Sequence, residues 1–283
     1  MDEKLDDNKL MERTPHKEIK HCNCSCVSKY GLGIFPILFG VCVMLTFIIS
    51  YTIAVIDRHI DPFFPRISDT GSKKPESNVF GLLLSICSFL GFSVAVIRFI
   101  QLNHKLKTNE LIASRVLLIN KIGLFFGVVA CFGVVVVANF QDQGESSEFH
   151  DVGAVFVFGG GVVYCCFQTY LTACTLQCGF NSKCLYYVRL ILCISSAILF
   201  ILFGVSFYFS SNATSKALKH LLTIWKSTDP GYKMHITSSL SEWFCAVCLL
   251  IYFISFSKEF YEVKIGFTIK RNELGYQSIP QFV

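Results

Sequence analysis

Six stretches of this chain are apolar for more than twenty residues at a time. They run Gly31 to Ile56, Val79 to Leu102, Val116 to Asn139, Val152 to Cys174, Leu185 to Ser210 and Ile236 to Ser257. About twenty helical residues at roughly 1.5 Å each cross a hydrocarbon core of about 30 Å. Inside lipid, only a helix or a closed barrel satisfies its own backbone, and these runs lack the two-residue alternation of barrel strands. The pattern predicts an all-α integral membrane protein, a bundle of six transmembrane helices at 31–257. Polar segments flank it: an arm at 1–30, expected to be disordered, and a tail at 258–283. The first run follows thirty polar residues and is too long for a cleavable signal, so it should stay as an anchor.

Composition sharpens the class. Of 283 residues, 53% are hydrophobic and only 16% charged, whereas a soluble domain carries about a quarter charged. Charge then orients the bundle. An even number of spans puts both termini on one side. That side collects 17 of the 25 Lys and Arg, and the three intervening outer segments hold 8. The positive-inside rule makes both termini cytosolic. None of the 14 cysteines falls in the outer loops, so the outer face is not a disulfide-stapled ectodomain.

Several local patterns are candidates for function. The arm ends in "HCNCSC", where Cys22, Cys24 and Cys26 are candidate acylation sites beside the membrane. A metal site completed by Cys178 and Cys184, or idle reduced thiols, are the alternatives. Asn212-Ala213-Thr214 is a glycosylation pattern on the outer side, close to a helix end. The first outer loop, "HIDPFFPRISDTGSKKPES", is dense in turn formers. It reads as a rigid lid over the bundle, or as a lid that binds a ligand or lipid through Phe63 and Phe64. Gly123 and Gly127 form a GxxxG surface for close helix packing. Gly159, Gly160 and Gly161 mark either a close approach or a kink.

Ionisable groups inside spans are few. Arg98 and Lys121 are expected to snorkel toward the cytosolic interface, and Arg189 to begin the fifth helix there. Glu242 is the one acid well inside a span. Its expected partner is an outer group such as Arg58, Arg66, Asn139 or Tyr232, with a proton-relay or catalytic role as the alternative. Glu242→Leu is expected to disturb folding or trafficking more than any single cytosolic change. Asp57, His59, Asp61, Asp69, His150 and Asp151 also lie on the outer side and are of the types that bind metal or move protons. No histidine pair on a helix, G-x-S-x-G elbow or phosphate loop accompanies them. The expectation is therefore no enzyme, no cofactor, no assigned metal and no nucleic-acid partner.

"IDPFFPRISDTG" with the following "PES" and "FG", "CFGVVVVANFQ", "HDVGAVFVFGGGVVY", "SEWF" and "FSKEF" stand in order along the spans. Together they resemble the damage-regulated autophagy modulators, within the wider Frag/DRAM/Sfk group. The arm and the extreme tail depart from that pattern. The resemblance implies a six-span protein of lysosomal or late endosomal membranes that promotes autophagy, in some members with a link to stress-induced cell death. Its wider group implies a lipid-binding or lipid-handling alternative. It implies no catalytic residues. It marks a structural core at the outer face: Asp61, Pro62, Pro65, Ser68, Asp69, Gly71, Asn139, Gln141, His150, Glu242 and Trp243.

The tail carries "GYQSI". Tyr276 and Ile279 would stand roughly 10 Å apart in an extended peptide, as an adaptor bound by strand addition requires. With Gly275 in front, the motif resembles a lysosomal sorting signal. Clathrin-adaptor complexes are the expected partners of the tail, membrane lipids those of the bundle, and the autophagy or lysosomal proteins it meets are left unnamed.

Overall fold

The fold is described from a computed structural model that covers residues 31–107, 114–142, 146–177, 181–213, 224–261 and 263. The Cys22, Cys24 and Cys26 cluster and the Gly275–Ile279 signal lie outside these residues. Six long helices dominate: α1 Ile34–Ile56, α2 Glu76–Lys107, α3 Ser114–Asn139, α4 Ser147–Gln177, α5 Lys183–Ala213 and α6 Tyr232–Ile254. A 3-10 turn, Gly31–Gly33, leads into α1, and a second, Ser68–Gly71, lies in the α1–α2 loop. Beyond a short junction at Ser255 and Phe256, both right-handed helical, the one-turn helix α7, Ser257–Phe260, continues from α6.

All six long helices are long and apolar enough to cross a membrane, as expected. Most outrun the apolar stretches that announce them. Helix α2 begins at Glu76, three residues before Val79, and α6 begins at Tyr232, four before Ile236. Hydropathy marks the part that belongs in hydrocarbon. The helical hydrogen-bond ladder continues into the interface, where polar side chains are tolerated.

Chain neighbours pack side by side, and α1 meets α6 to close the ring, while α4 also reaches α6. Small and polar residues define the inward faces. On α1, Gly40, Val43, Thr46, Phe47, Ser50 and Ala54 are buried, while Ile37, Val41, Leu45 and Ile48 face outward. Lipid is as apolar as leucine, so the inner face is selected by close packing and hydrogen bonding. Gly133 shows the limit: a Cβ there would stand 2.7 Å from the Gly153 carbonyl oxygen on α4. Gly160 packs against the Ala130 backbone, and α4 runs through the triple glycine unbroken, so those glycines serve close approach. Gly123 and Gly127 likewise face Phe167 and Tyr164 of α4.

Both ends of the bundle's chain meet on one face, where the Leu32 N–H donates to the Val263 carbonyl at 3.3 Å. We call this the terminal face, and the opposite one, capped by residues 57–75, the loop face.

Candidate functional site

At the loop face the α1–α2 loop folds inward. Pro65, Ile67, Ser68, Asp69, Thr70 and Gly71 are all buried. Proline-rich backbone supplies few donors and many free carbonyls, so the helices must provide partners. Helix α6 does. Ser239 donates its hydroxyl to the Pro65 carbonyl at 2.7 Å, and the Trp243 indole donates to the same oxygen at 2.9 Å. One turn away, Glu242 Oε2 accepts the Ile67 N–H at 2.9 Å. One face of α6 thus holds the loop by its backbone.

Arg66 completes the cap. It pairs with Asp69 at 2.9 Å and Asp142 at 3.2 Å, and its guanidinium lies 5.3 Å from the Phe207 ring centre. Burial opposes its charge, but Asp69, Asp142 and Glu242 together outweigh that and hold its pKa above the ordinary value. Burial pushes the Asp69 carboxyl up, Arg66 pulls it back and Asp142 raises it again, leaving it above its usual range.

The remaining expected residues are distributed around this cap. Asp61 Oδ1 accepts the Phe63 N–H at 2.8 Å, a local turn, and the Pro62 carbonyl accepts from Tyr51 at 2.9 Å. Gly71 abuts the Phe80 ring. His150 is buried and donates from Nδ1 to the Phe140 carbonyl at 2.7 Å. The Gln141 carbonyl accepts from Ser146 at 2.8 Å. Asn139 is exposed and donates to the Val135 carbonyl within its own helix. Asn212 is exposed in the last turn of α5.

Beneath the cap lies an apolar cavity of about 140 Å³. Phe47, Phe80, Phe158, Leu249 and Phe253 line it, together with Ser68, His150 and Glu242. A second, more open groove of about 360 Å³ runs between α1 and α6 along Met44, Ile48, Phe64, Leu240 and Trp243.

The terminal face holds a second polar centre and corrects one expectation. Arg98 does not snorkel: it is fully buried, and so is Arg189 near the start of α5. They share Glu259, with Arg98 at 2.9 Å from Oε1 and Arg189 on Oε2. Gln101 and Gln168 accept from Arg98, and Gln101 donates to the Glu259 carbonyl at 2.7 Å. Thr172 and Ser255 accept from Arg189. The Phe256 ring lies 5.0 and 4.7 Å from the two guanidinium carbons. Lys121, by contrast, is exposed.

The sequence hid this centre because Glu259 follows the last apolar run and reads as a tail residue. Ser255 and Phe256 stay right-handed helical, so α7 prolongs α6 and carries Glu259 to the terminal face of the bundle. Arg66 and Asp142 were equally hidden, as loop charges 76 positions apart with nothing local to join them.

Six membrane-length helices, a backbone-anchored cap and a buried arginine centre define a polytopic integral membrane protein. Residues 31–263 match the family described as "Frag1/DRAM/Sfk1/Cwh43P N-terminal domain", and the chain belongs to that family. It is 32% identical over 251 residues to the DNA damage-regulated autophagy modulator protein 1 of Xenopus laevis, covering 89% of this chain and 99% of the relative. It is 33% identical over 257 residues to modulator protein 2 of Rattus norvegicus, covering 88% and 92%. A modulator of macroautophagy, TMEM150B of Danio rerio, is 32% identical over 145 residues, 50% of this chain and 58% of the relative. No solved structure matches. The resemblance seen in the sequence is thereby borne out, and with it a membrane role in modulating autophagy.

Proposed function

We propose that this protein promotes autophagy from the lysosomal or late endosomal membrane, with both termini cytosolic and the loop face lumenal. It acts as a non-enzymatic regulator, linked to stress-induced cell death. The observation that carries this reading is the match to named autophagy modulators across nearly the whole chain, from the first helix through the Glu259 segment. On this reading the tail signal Gly275, Tyr276 and Ile279 recruits clathrin adaptors and delivers the protein. The test is autophagic flux, read as lysosome-dependent turnover of a cytosolic reporter, in starved cells depleted of the protein and then rescued. Flux should fall on depletion and recover with the wild-type chain. Unchanged flux in both arms would overturn the reading.

A lipid-handling role is favoured by one observation, the apolar space under and beside the loop. The inner cavity of about 140 Å³ is close in size to an engineered cavity of about 150 Å³ that admits benzene. It therefore holds the end of an acyl chain and no more. The rest of a lipid would lie in the outer groove by Trp243. Lipids that co-purify with the wild-type protein and are lost on Ala246→Phe, which fills the cavity, would support this role. Identical lipid content in both would remove it.

A further inference from the structure

The cap contains a third group of polar side chains, which the arginine pairing does not use. At the end of α1, the Arg58 N–H bonds the Val55 carbonyl at 3.1 Å and the His59 N–H bonds the Ala54 carbonyl at 2.9 Å. This is a Schellman closure with Arg58 left-handed at φ 59°. Glycine is the residue usually found there, since a side chain costs about 1–2 kcal/mol in that conformation. The turn brings Asp57 and His59 beside the first residue of α2, Glu76. One ligand atom from each lies within 4.8 Å of the other two.

Glu76 is the unusual member. It is completely buried. Its Oε1 stands 2.7 Å from His59 Nδ1. Its Oε2 is buried with no hydrogen-bond partner among the described residues. A carboxylate oxygen left bare in this way is costly. With the histidine and the second carboxylate beside it, the Glu76 carboxylate completes a set of cation ligands.

We infer that Asp57, His59 and Glu76 bind one zinc ion at the loop face. One imidazole and two carboxylates form an open, three-ligand zinc set, with water in the fourth place. Zinc bonds of about 2.1 Å in a tetrahedron put ligand atoms about 3.4 Å apart. The cluster meets this after movements of about an ångström, the exposed Asp57 moving most freely. Histidine as the nitrogen donor selects zinc over magnesium or calcium, which prefer all-oxygen sites. The ion ties the end of α1 to the start of α2 and so closes the loop that carries the cap.

The test uses the full chain in detergent, untagged, with Cys22, Cys24 and Cys26 changed to serine so that the arm cannot take zinc. Metal content after dialysis and zinc titration against a fluorescent chelator are measured for this chain and for Asp57→Asn/His59→Gln. One zinc per chain should be lost in the double variant, and its unfolding midpoint should no longer rise with zinc. Asp57→Asn alone sits on an exposed residue and leaves folding intact. It should weaken zinc binding by about tenfold or more. Equal stoichiometry and affinity in parent and variants would overturn the site. Displacement of zinc by an equal concentration of calcium would overturn the zinc assignment.

Discussion

Glu259→Gln tests the terminal-face centre most sharply. The carboxylate is 7% exposed and serves two guanidinium groups that are themselves buried. At an effective dielectric of about 20, a charge pair about 4 Å apart interacts by about 4 kcal/mol. Two such attractions are offset by the repulsion between Arg98 and Arg189 and by the desolvation of all three groups. Glutamine keeps the shape and one acceptor but leaves two buried cations facing each other around Phe256. Removing one partner from a buried pair costs about 3–5 kcal/mol, and here two pairs lose the same partner. The loss should therefore sit at the upper end of that range, a large part of a typical stability of about 5–15 kcal/mol. The assay is denaturant or thermal unfolding in detergent, repeated in an Arg98→Met/Arg189→Met background. There the same substitution should become neutral or favourable, because the remaining charge is the one without partners. An equal loss in both backgrounds would refute the electrostatic account and leave packing against Gln101 as the cause. Glu259→Gln should therefore cost more than Glu242→Leu in the same unfolding assay.

Further outcomes concern the loop face. Glu242→Leu leaves the Ile67 N–H buried without its acceptor and should cost about 1–3 kcal/mol, while Glu242→Gln should recover most of it in the same unfolding assay. Ser239→Ala and Trp243→Phe each remove one of two donors from the Pro65 carbonyl. Each should cost about 1 kcal/mol alone, and the pair more than the sum, since only together do they orphan the oxygen. Gly71→Ala puts a methyl 2.5 Å from the Phe80 ring and should cost about 1–3 kcal/mol by overpacking, with a lower unfolding midpoint. For Asp69 the folded carboxyl lies above its usual value. Its contribution is thus fully present below the unfolded value and is lost as pH rises through the folded one. Arg66, Asp142 and Glu242 all face it, and acidification from neutral should not destabilise the cap through Asp69. Unfolding midpoints of wild type and Asp69→Asn across that range check this. A wild-type drop that Asp69→Asn abolishes would count against it.

The sequence by itself determined where the helices are. A run of more than twenty apolar residues has one stable form in lipid, so all six spans were legible from hydropathy. Hydropathy says nothing about which side of such a helix faces inward. On α1, Ile37 and Val43 are equally apolar, yet one meets lipid and the other the core. That choice belongs to Gly40, Thr46, Ser50 and Ala54, whose small volumes and hydroxyls matter only against a neighbouring helix. The prolines of the α1–α2 loop and Glu242 announced a polar cap, because an acid within a span requires a partner. Which partner was a tertiary matter, decided when α6 met a carbonyl-rich loop and Glu242 took a backbone N–H. Charge is least readable near the ends of spans. An arginine there can reach water or turn inward, and its own segment is the same in both cases. Arg98 and Arg189 turn inward because α7, continuing α6, delivers Glu259 to them, a long-range meeting that only the folded bundle creates.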